Sequence, residues 1–140
     1  MGEYGKPIPC PDEDTAPFWE AARRHELAFQ RCNHCGTYAH PPVAFCRHCH
    51  NVSHPSFEFA QISPRGKILN WTVMYDAMVQ GFADEVPWVH ALVSFDVQPT
   101  LNLTATLVDG DTHRLRLGAP VDIIFRDVAE GVTLPFFKLS

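Results

Sequence analysis

Two Cys-x2-Cys pairs, Cys32-Asn33-His34-Cys35 and Cys46-Arg47-His48-Cys49, stand with ten residues between them in a chain of 140 residues. Four thiolates at this spacing suit one tetrahedral zinc ion, because each pair aims two sulfurs at a common point. Gly36 follows the first pair, where a tight turn calls for a residue tolerant of positive φ. The segment from Tyr38 to Phe45 is long enough to run out and back, with Pro41-Pro42 at the bend. The spacing therefore predicts a zinc ribbon with Cys32, Cys35, Cys46 and Cys49 as ligands. Four cysteines close the coordination sphere, which marks a structural Zn2+ ion rather than a catalytic one. Such an ion staples a segment too small to build its own core.

Other chemistry competes for the same residues. Cys46-Arg47-His48-Cys49-His50 matches the attachment signature of c-type haem, but that reading leaves Cys32 and Cys35 idle and needs export. The N-terminus, Met1 to Pro7, has no charged region followed by an apolar one, so no secretory signal is expected. The expected compartment is cytoplasmic, where cysteines seldom form disulfides. A rubredoxin-like iron site uses the same four thiolates, and spacing does not separate it from zinc. A redox dithiol accounts for one pair and not for two. His34, His40, His48, His50 and His54 lie in or beside the cluster. They are expected to hydrogen-bond around the sulfurs rather than replace one. Cys10 has no partner motif and is expected to be an ordinary thiol.

The remaining sequence changes period. Residues 1–14 are rich in Pro, Gly and acidic side chains and read as an arm. A short helix is expected from Thr15 to His25, capped by Asp14 or Thr15, with Pro17 tolerated in its first turn. Phe18, Trp19 and Ala22 give it an apolar side that either packs on the body or docks a partner. From Phe57 onward the pattern is period two. It shows in Ile68 to Tyr75, in Val89 to Val97, in Leu101 to Leu107, in Val121 to Phe125 and in the closing Leu134 to Leu139. Gln98-Pro99-Thr100 reads as the connection between the second and third strands, and Asp109-Gly110-Asp111 as the turn after the third. Pro120 stands at a strand start, where its missing N–H is harmless. The linker from Asp76 to Pro87 is long for a hairpin. Its Met78, Val79 and Phe82 either cover the barrel end or meet something else.

The expected architecture is mainly β: an arm and helix over 1–26, a rubredoxin-like zinc ribbon over 27–56, and a five-stranded barrel over 57–140. The OB-fold is the natural candidate for that barrel, and an SH3-like barrel fits the strand count nearly as well.

The net charge is −5 with His neutral, and the eleven Lys and Arg are scattered. Nucleic acid and anionic membranes favour a basic stripe, so both are disfavoured as partners. No apolar run approaches the roughly 18 residues that span a bilayer. There is no Gly-x-Ser-x-Gly, phosphate loop or dinucleotide fingerprint. Asp84-Glu85, Asp109 and Asp111 read as solvated acids, and His90 and His113 as surface histidines. No catalytic residue is assigned.

The order of parts carries a resemblance. Phe18-Trp19-Glu20-Ala21-Ala22 is followed by Leu27 to Gly36, then Pro41-Pro42, then Cys46-Arg47-His48-Cys49. Gly66-Lys67-Ile68-Leu69, Leu117 to Val121 and Leu134-Pro135-Phe136-Phe137 come after. From about Pro17 to Leu139 the chain resembles the acyl-CoA-associated family that joins a rubredoxin-like zinc ribbon to an OB-fold. The ribbon half of the likeness is specific and the barrel half diffuse. The resemblance implies a non-catalytic accessory subunit of a thiolase-like enzyme, in a hetero-oligomer whose partner holds the reactive residues. It implies acyl-CoA handling at the shared interface and carries the four cysteines over as zinc ligands. Phe18, Trp19, Met78 and Phe82 are the residues expected at that interface. Arg65 and Lys67 are candidates for CoA phosphates, against the plainer reading that they are solvated. Two other classes stay open. One is a single-stranded nucleic-acid-binding OB-fold using Trp71, Tyr75 and Trp88 as stacking platforms. The other is a stand-alone rubredoxin-like metal protein.

Overall fold

The computed structural model of the chain describes residues 4–108 and 112–140. One helix, α1 (Ala16–Arg23), leads into a three-stranded sheet of β1 (Ala28–Cys32), β2 (Tyr38–Ala39) and β3 (Phe57–Gln61), in the order β2-β1-β3. A closed barrel follows, made of β4 (Arg65–Met74), β5 (Trp88–Phe95), β6 (Gln98–Leu107), β7 (Pro120–Ala129) and β8 (Val132–Leu139). Its order is β4-β5-β6-β8-β7, with β6 and β8 parallel. This is the Greek-key order of the OB-fold, which decides between the two barrels the strand count allowed.

The helix starts differently from expectation. Thr15 holds the N-cap position but makes no side-chain cap bond. Its hydroxyl instead accepts the Asp12 N–H at 3.0 Å, and Asp12 Oδ1 accepts the Thr15 N–H at 2.9 Å. Asp12 and Thr15 thus bracket the turn before the helix, and the Asp14 side chain takes no part in it. Pro17 sits in the first turn, where its missing N–H costs nothing.

Residues 57–61, counted with the barrel by period alone, form β3 and pair with all of β1, from Ala28↔Gln61 to Cys32↔Phe57. The ribbon sheet thus runs past residue 56, and the barrel begins at Arg65. The expected connection at Gln98-Pro99-Thr100 also moves. A register shift after Ser94 sets Phe95 opposite Gln98, so Asp96-Val97 make the turn and Pro99 and Thr100 lie in β6. Val97 is accordingly exposed rather than the last inward residue of its strand. Asp109-Gly110-Asp111 lies outside the described residues. Pro120 opens β7 as expected.

The barrel core is built from the inward positions of the alternating strands, among them Ile68, Val93, Leu101, Val121 and Phe137. Two aromatic rings from outside the barrel complete it. Phe29 of β1 lies 5.7 Å from Phe95, and Phe18 of α1 lies 5.9 Å from Phe29. The helix packs on β1, β7 and β8. Phe18 is only 5% exposed, so its ring packs into the core. Trp19 packs edge-on to Phe18 at 5.0 Å and stays half-buried.

The linker between β4 and β5 divides its apolar residues. Phe82 folds back onto Trp88 at 4.8 Å, while Met78 is 87% exposed. The N-terminal arm holds this linker down. Lys6 pairs with Glu85 and lies 5.4 Å over the Phe82 ring. A Cβ on Gly81 would meet the Gly5 carbonyl oxygen, so the two backbones touch at a point only glycine allows. No helix among the described residues is long and apolar enough to cross a membrane.

Candidate metal centre

Each cysteine pair sits on a tight turn whose backbone fixes the sulfurs. At the end of β1, Gly36 N–H donates to the Cys32 carbonyl at 2.8 Å, and Cys32 N–H donates to the Thr37 carbonyl at 2.9 Å. Gly36 has φ +79, as a turn closing there requires. In the second turn, His50 N–H donates to the Cys46 carbonyl at 3.0 Å, and His50 takes φ +57. His50 is thus the positional counterpart of Gly36. The sequence offered glycine as the marker of such a turn, and the second turn hides because histidine fills the place.

The two turns meet. Cys32 Sγ lies 3.8 Å from Cys49 Sγ, and Cys35 Sγ lies 3.5 Å from Cys46 Sγ. All four sulfurs fall within 4.8 Å of one another. A tetrahedral site with metal–sulfur bonds of about 2.3 Å has sulfur–sulfur edges of about 3.8 Å, so the donor set fits one such ion. Cys32 and Cys46 are buried, while Cys35 and Cys49 face solvent. Hydrogen bonds from the Thr37 hydroxyl and backbone hold the Cys35 thiol down at about 5. The Asn51 backbone N–H favours the Cys49 thiolate, but desolvation and the crowding sulfurs of Cys32, Cys46 and Cys35 push that thiol up to about 11. Four thiolates this close repel, and a dication is what lets them all ionise together.

Two glutamines lock the ribbon. Gln30, buried in β1, donates through Nε2 to the Val43 carbonyl at 3.0 Å and accepts the Val43 N–H at 2.8 Å. This ties the segment between the cysteine pairs to β1. Gln98, at the start of β6, makes the same two-bond pairing with Tyr38 of β2. Neither side chain belongs to a motif, so sequence reasoning passed over both.

The histidines surround the sulfurs without joining them: among the described residues the only group with metal-ligand spacing is the four cysteines. His34 Nε2 lies 2.6 Å from the His54 carbonyl oxygen, bridging the two ends of the ribbon. His40 packs between Phe18 and Phe29, and burial pulls it below the usual imidazole range. Cys10 is an exposed free cysteine. Of the basic residues considered for CoA phosphates, Arg65 lies 3.8 Å from Asp122 and Lys67 lies 3.6 Å from Asp96. Among the proposed stacking rings, Trp71 packs against the barrel core and Trp88 is covered by Phe82, leaving Tyr75 exposed.

Comparison with known proteins adds the family. Residues 19–53 match the ChsH2 rubredoxin-like zinc ribbon domain, and residues 60–126 match the ChsH2 C-terminal OB-fold domain. The chain is 30% identical over 133 residues to a probable enoyl-CoA hydratase alpha subunit of Thermomonospora curvata, aligning 95% of itself with 40% of that protein. It is 30% identical over 119 residues to the 3-oxo-4,17-pregnadiene-20-carboxyl-CoA hydratase alpha subunit of Mycobacterium tuberculosis, aligning 85% of itself with 36% of that protein. It therefore spans well under half the length of these curated relatives. Among solved structures it is similar to a chain of the Ltp2-ChsH2(DUF35) aldolase, with a TM-score of 0.80 and 28% identity, over 94% of this chain and 98% of that one. A DUF35-family protein of unknown function from Sulfolobus solfataricus shares the fold, with a TM-score of 0.60 at 15% identity. Two successive domain matches, in the order and at the positions where the ribbon and barrel stand, show that the chain belongs to the ChsH2 family of zinc-ribbon and OB-fold proteins.

Proposed function

We propose that this chain is a non-catalytic subunit that holds one structural zinc ion and supports a thiolase-like acyl-CoA enzyme. The observation that carries the reading is the likeness, over nearly the whole of both chains, to a chain of an aldolase made of Ltp2 and ChsH2. Cys32, Cys35, Cys46 and Cys49 would be the ligands, and with four thiolates the ion would supply a cross-link between the two turns. The chain's own residues then do the mechanical work. Gln30 and Gln98 fix the ribbon's spacer and its angle to the barrel, and Phe29 anchors its central strand in the barrel core. The partner would bring the reactive groups, and acyl-CoA would be handled where the two subunits meet. The units implied are an arm and helix to residue 26, a ribbon over 27–61 and a barrel from 65.

The test is twofold. Purified protein is expected to contain about one zinc per chain and no visible iron–thiolate band. Alone it is expected to leave acyl-CoA thioesters unchanged; mixed with a thiolase-like partner it is expected to raise that partner's turnover sharply. Enzyme-like thioester cleavage or condensation by the isolated chain would end the accessory reading.

A further inference from the structure

We infer that the outer face of β4, β5 and β6 is the surface on which the partner subunit docks, and that the partner meets it with an uncharged surface. This inference rests on the accessory-subunit reading and names where that reading is realised. In OB-folds the face of the second and third strands, with the loop between the first and second, is where ligands lie. Here those elements are β5, β6 and the linker 76–87.

The composition of the face says what lies there. Residues 70–74, 88–94 and 102–106 contain no Asp, Glu, Lys or Arg, although 11 + 16 of the 140 residues are charged. Two outward rows, Thr72, His90 and Thr106, then Asn70, Leu92 and Thr104, are set side by side by the strand register, and the next row, Lys67, Ser94 and Asn102, brings the first charge at the rim of the uncharged patch. A solvent-facing sheet ordinarily carries charged side chains at such positions, and depletion of charge is what marks the core of a protein interface. The same depletion removes nucleic acid, which needs cations along its path. The face continues into Met74, Tyr75, Met78 and Val79, all exposed apolar or aromatic side chains. Beneath them lies a shallow apolar cavity of about 390 Å³, with Phe82, Trp88 and Pro7 in its wall.

The surface is also set in advance. The Lys6–Glu85 pair, the Lys6–Phe82 stacking and the Gly5–Gly81 contact tie the linker to the arm. Ordering a loop on binding weakens association, and a loop already clasped avoids that cost. A hydroxyl-rich, apolar, uncharged face held rigid suits a permanent protein neighbour better than a transient charged one.

The experiment places a charge in the face. Thr104→Arg and Thr72→Glu alter exposed strand positions, and Leu117→Glu alters an exposed residue elsewhere. Each variant is mixed with a purified thiolase-like subunit that wild type binds, and affinity is measured beside the melting temperature. Burying an unpaired charge should weaken binding by at least about tenfold for both face variants. Melting temperature should stay unchanged, and Leu117→Glu should bind as wild type does. Wild-type affinity in both face variants would overturn the assignment of the face and leave the accessory reading standing. Failure of the wild-type protein to bind any thiolase-like subunit would overturn the accessory reading itself. A wild-type dimer that Thr104→Arg splits would overturn the choice of occupant.

Discussion

The side-chain amide of Gln98 pairs with the Tyr38 peptide as a neighbouring strand would: Oε1 accepts the Tyr38 N–H at 2.9 Å, and Nε2 donates to the Tyr38 carbonyl at 2.9 Å. One side chain of the barrel thereby completes the edge of the ribbon sheet. Gln98→Ala would leave a half-buried peptide unpaired, at a cost of about 1–3 kcal/mol. The expected result is a lower melting temperature with zinc content unchanged, and faster amide exchange at Tyr38. Exchange at Tyr38 identical to wild type would mean the pairing contributes nothing to holding β2.

Metal removal should act locally. Strand β1 is held from both sides, by β3 and by Phe29 in the barrel core. Chelation or Cys46→Ser should therefore raise amide exchange over residues 33–56 while Ala28–Arg31 and the barrel strands stay protected. Global unfolding on chelation, seen as loss of the barrel's tryptophan signal, would show that the barrel depends on the ion.

His50 occupies a left-handed backbone position that glycine fills in the sister turn. Its side chain pays a conformational penalty there, so His50→Gly should cost nothing and stabilise the ribbon by up to about 1 kcal/mol. Zinc stoichiometry should stay at one per chain. A variant that loses zinc would make His50 a ligand and remove one of the cysteines from the set.

The two apolar residues of the long linker should separate cleanly. Phe82→Asp breaks the stack on Trp88 and should lower stability by about 2–3 kcal/mol, less than a fully buried ring costs. Met78→Asp changes a side chain in solvent and should shift stability by no more than about 0.5 kcal/mol while weakening the complex. Chemical denaturation and a binding isotherm on each variant check both halves; equal stability loss in the two would contradict the placement of Met78.

Acid should find His40. Burial between Phe18 and Phe29 holds its folded pKa below the unfolded value of about 6.5. Between the two values the unfolded chain binds more protons, so stability is intact above about pH 6.5 and declines as pH falls from there toward the folded pKa. His40→Phe should remove that part of the decline. Melting temperatures at about pH 7.5 and 5.5, with zinc saturating, provide the comparison, and parallel losses in both proteins would acquit His40.

Much of this protein was legible in its sequence because the signals were local. Two Cys-x2-Cys units fix four sulfurs within a few residues each, and period-two runs such as Val89 to Phe95 declare which side chains face inward. The turn at Asp96-Val97 was misplaced because a bulge after Ser94 shifts the register, and nothing in the residue pattern records a bulge. Phe57 to Gln61 alternates as any strand does, so its sequence could not say that its partner is β1 and not the barrel. Likewise Phe18 was an apolar residue on a helix, and only the packing of α1 against β1, β7 and β8 sent it inward. Gln30 and Gln98 became structural because the fold brought each amide to a lone peptide group more than ten residues away. The sequence by itself determined the metal-binding chemistry and the strand faces, since both depend on neighbours along the chain. Tertiary structure alone decided which strands pair, which aromatics close the core and where an uncharged face is left open, since those depend on residues the chain holds far apart.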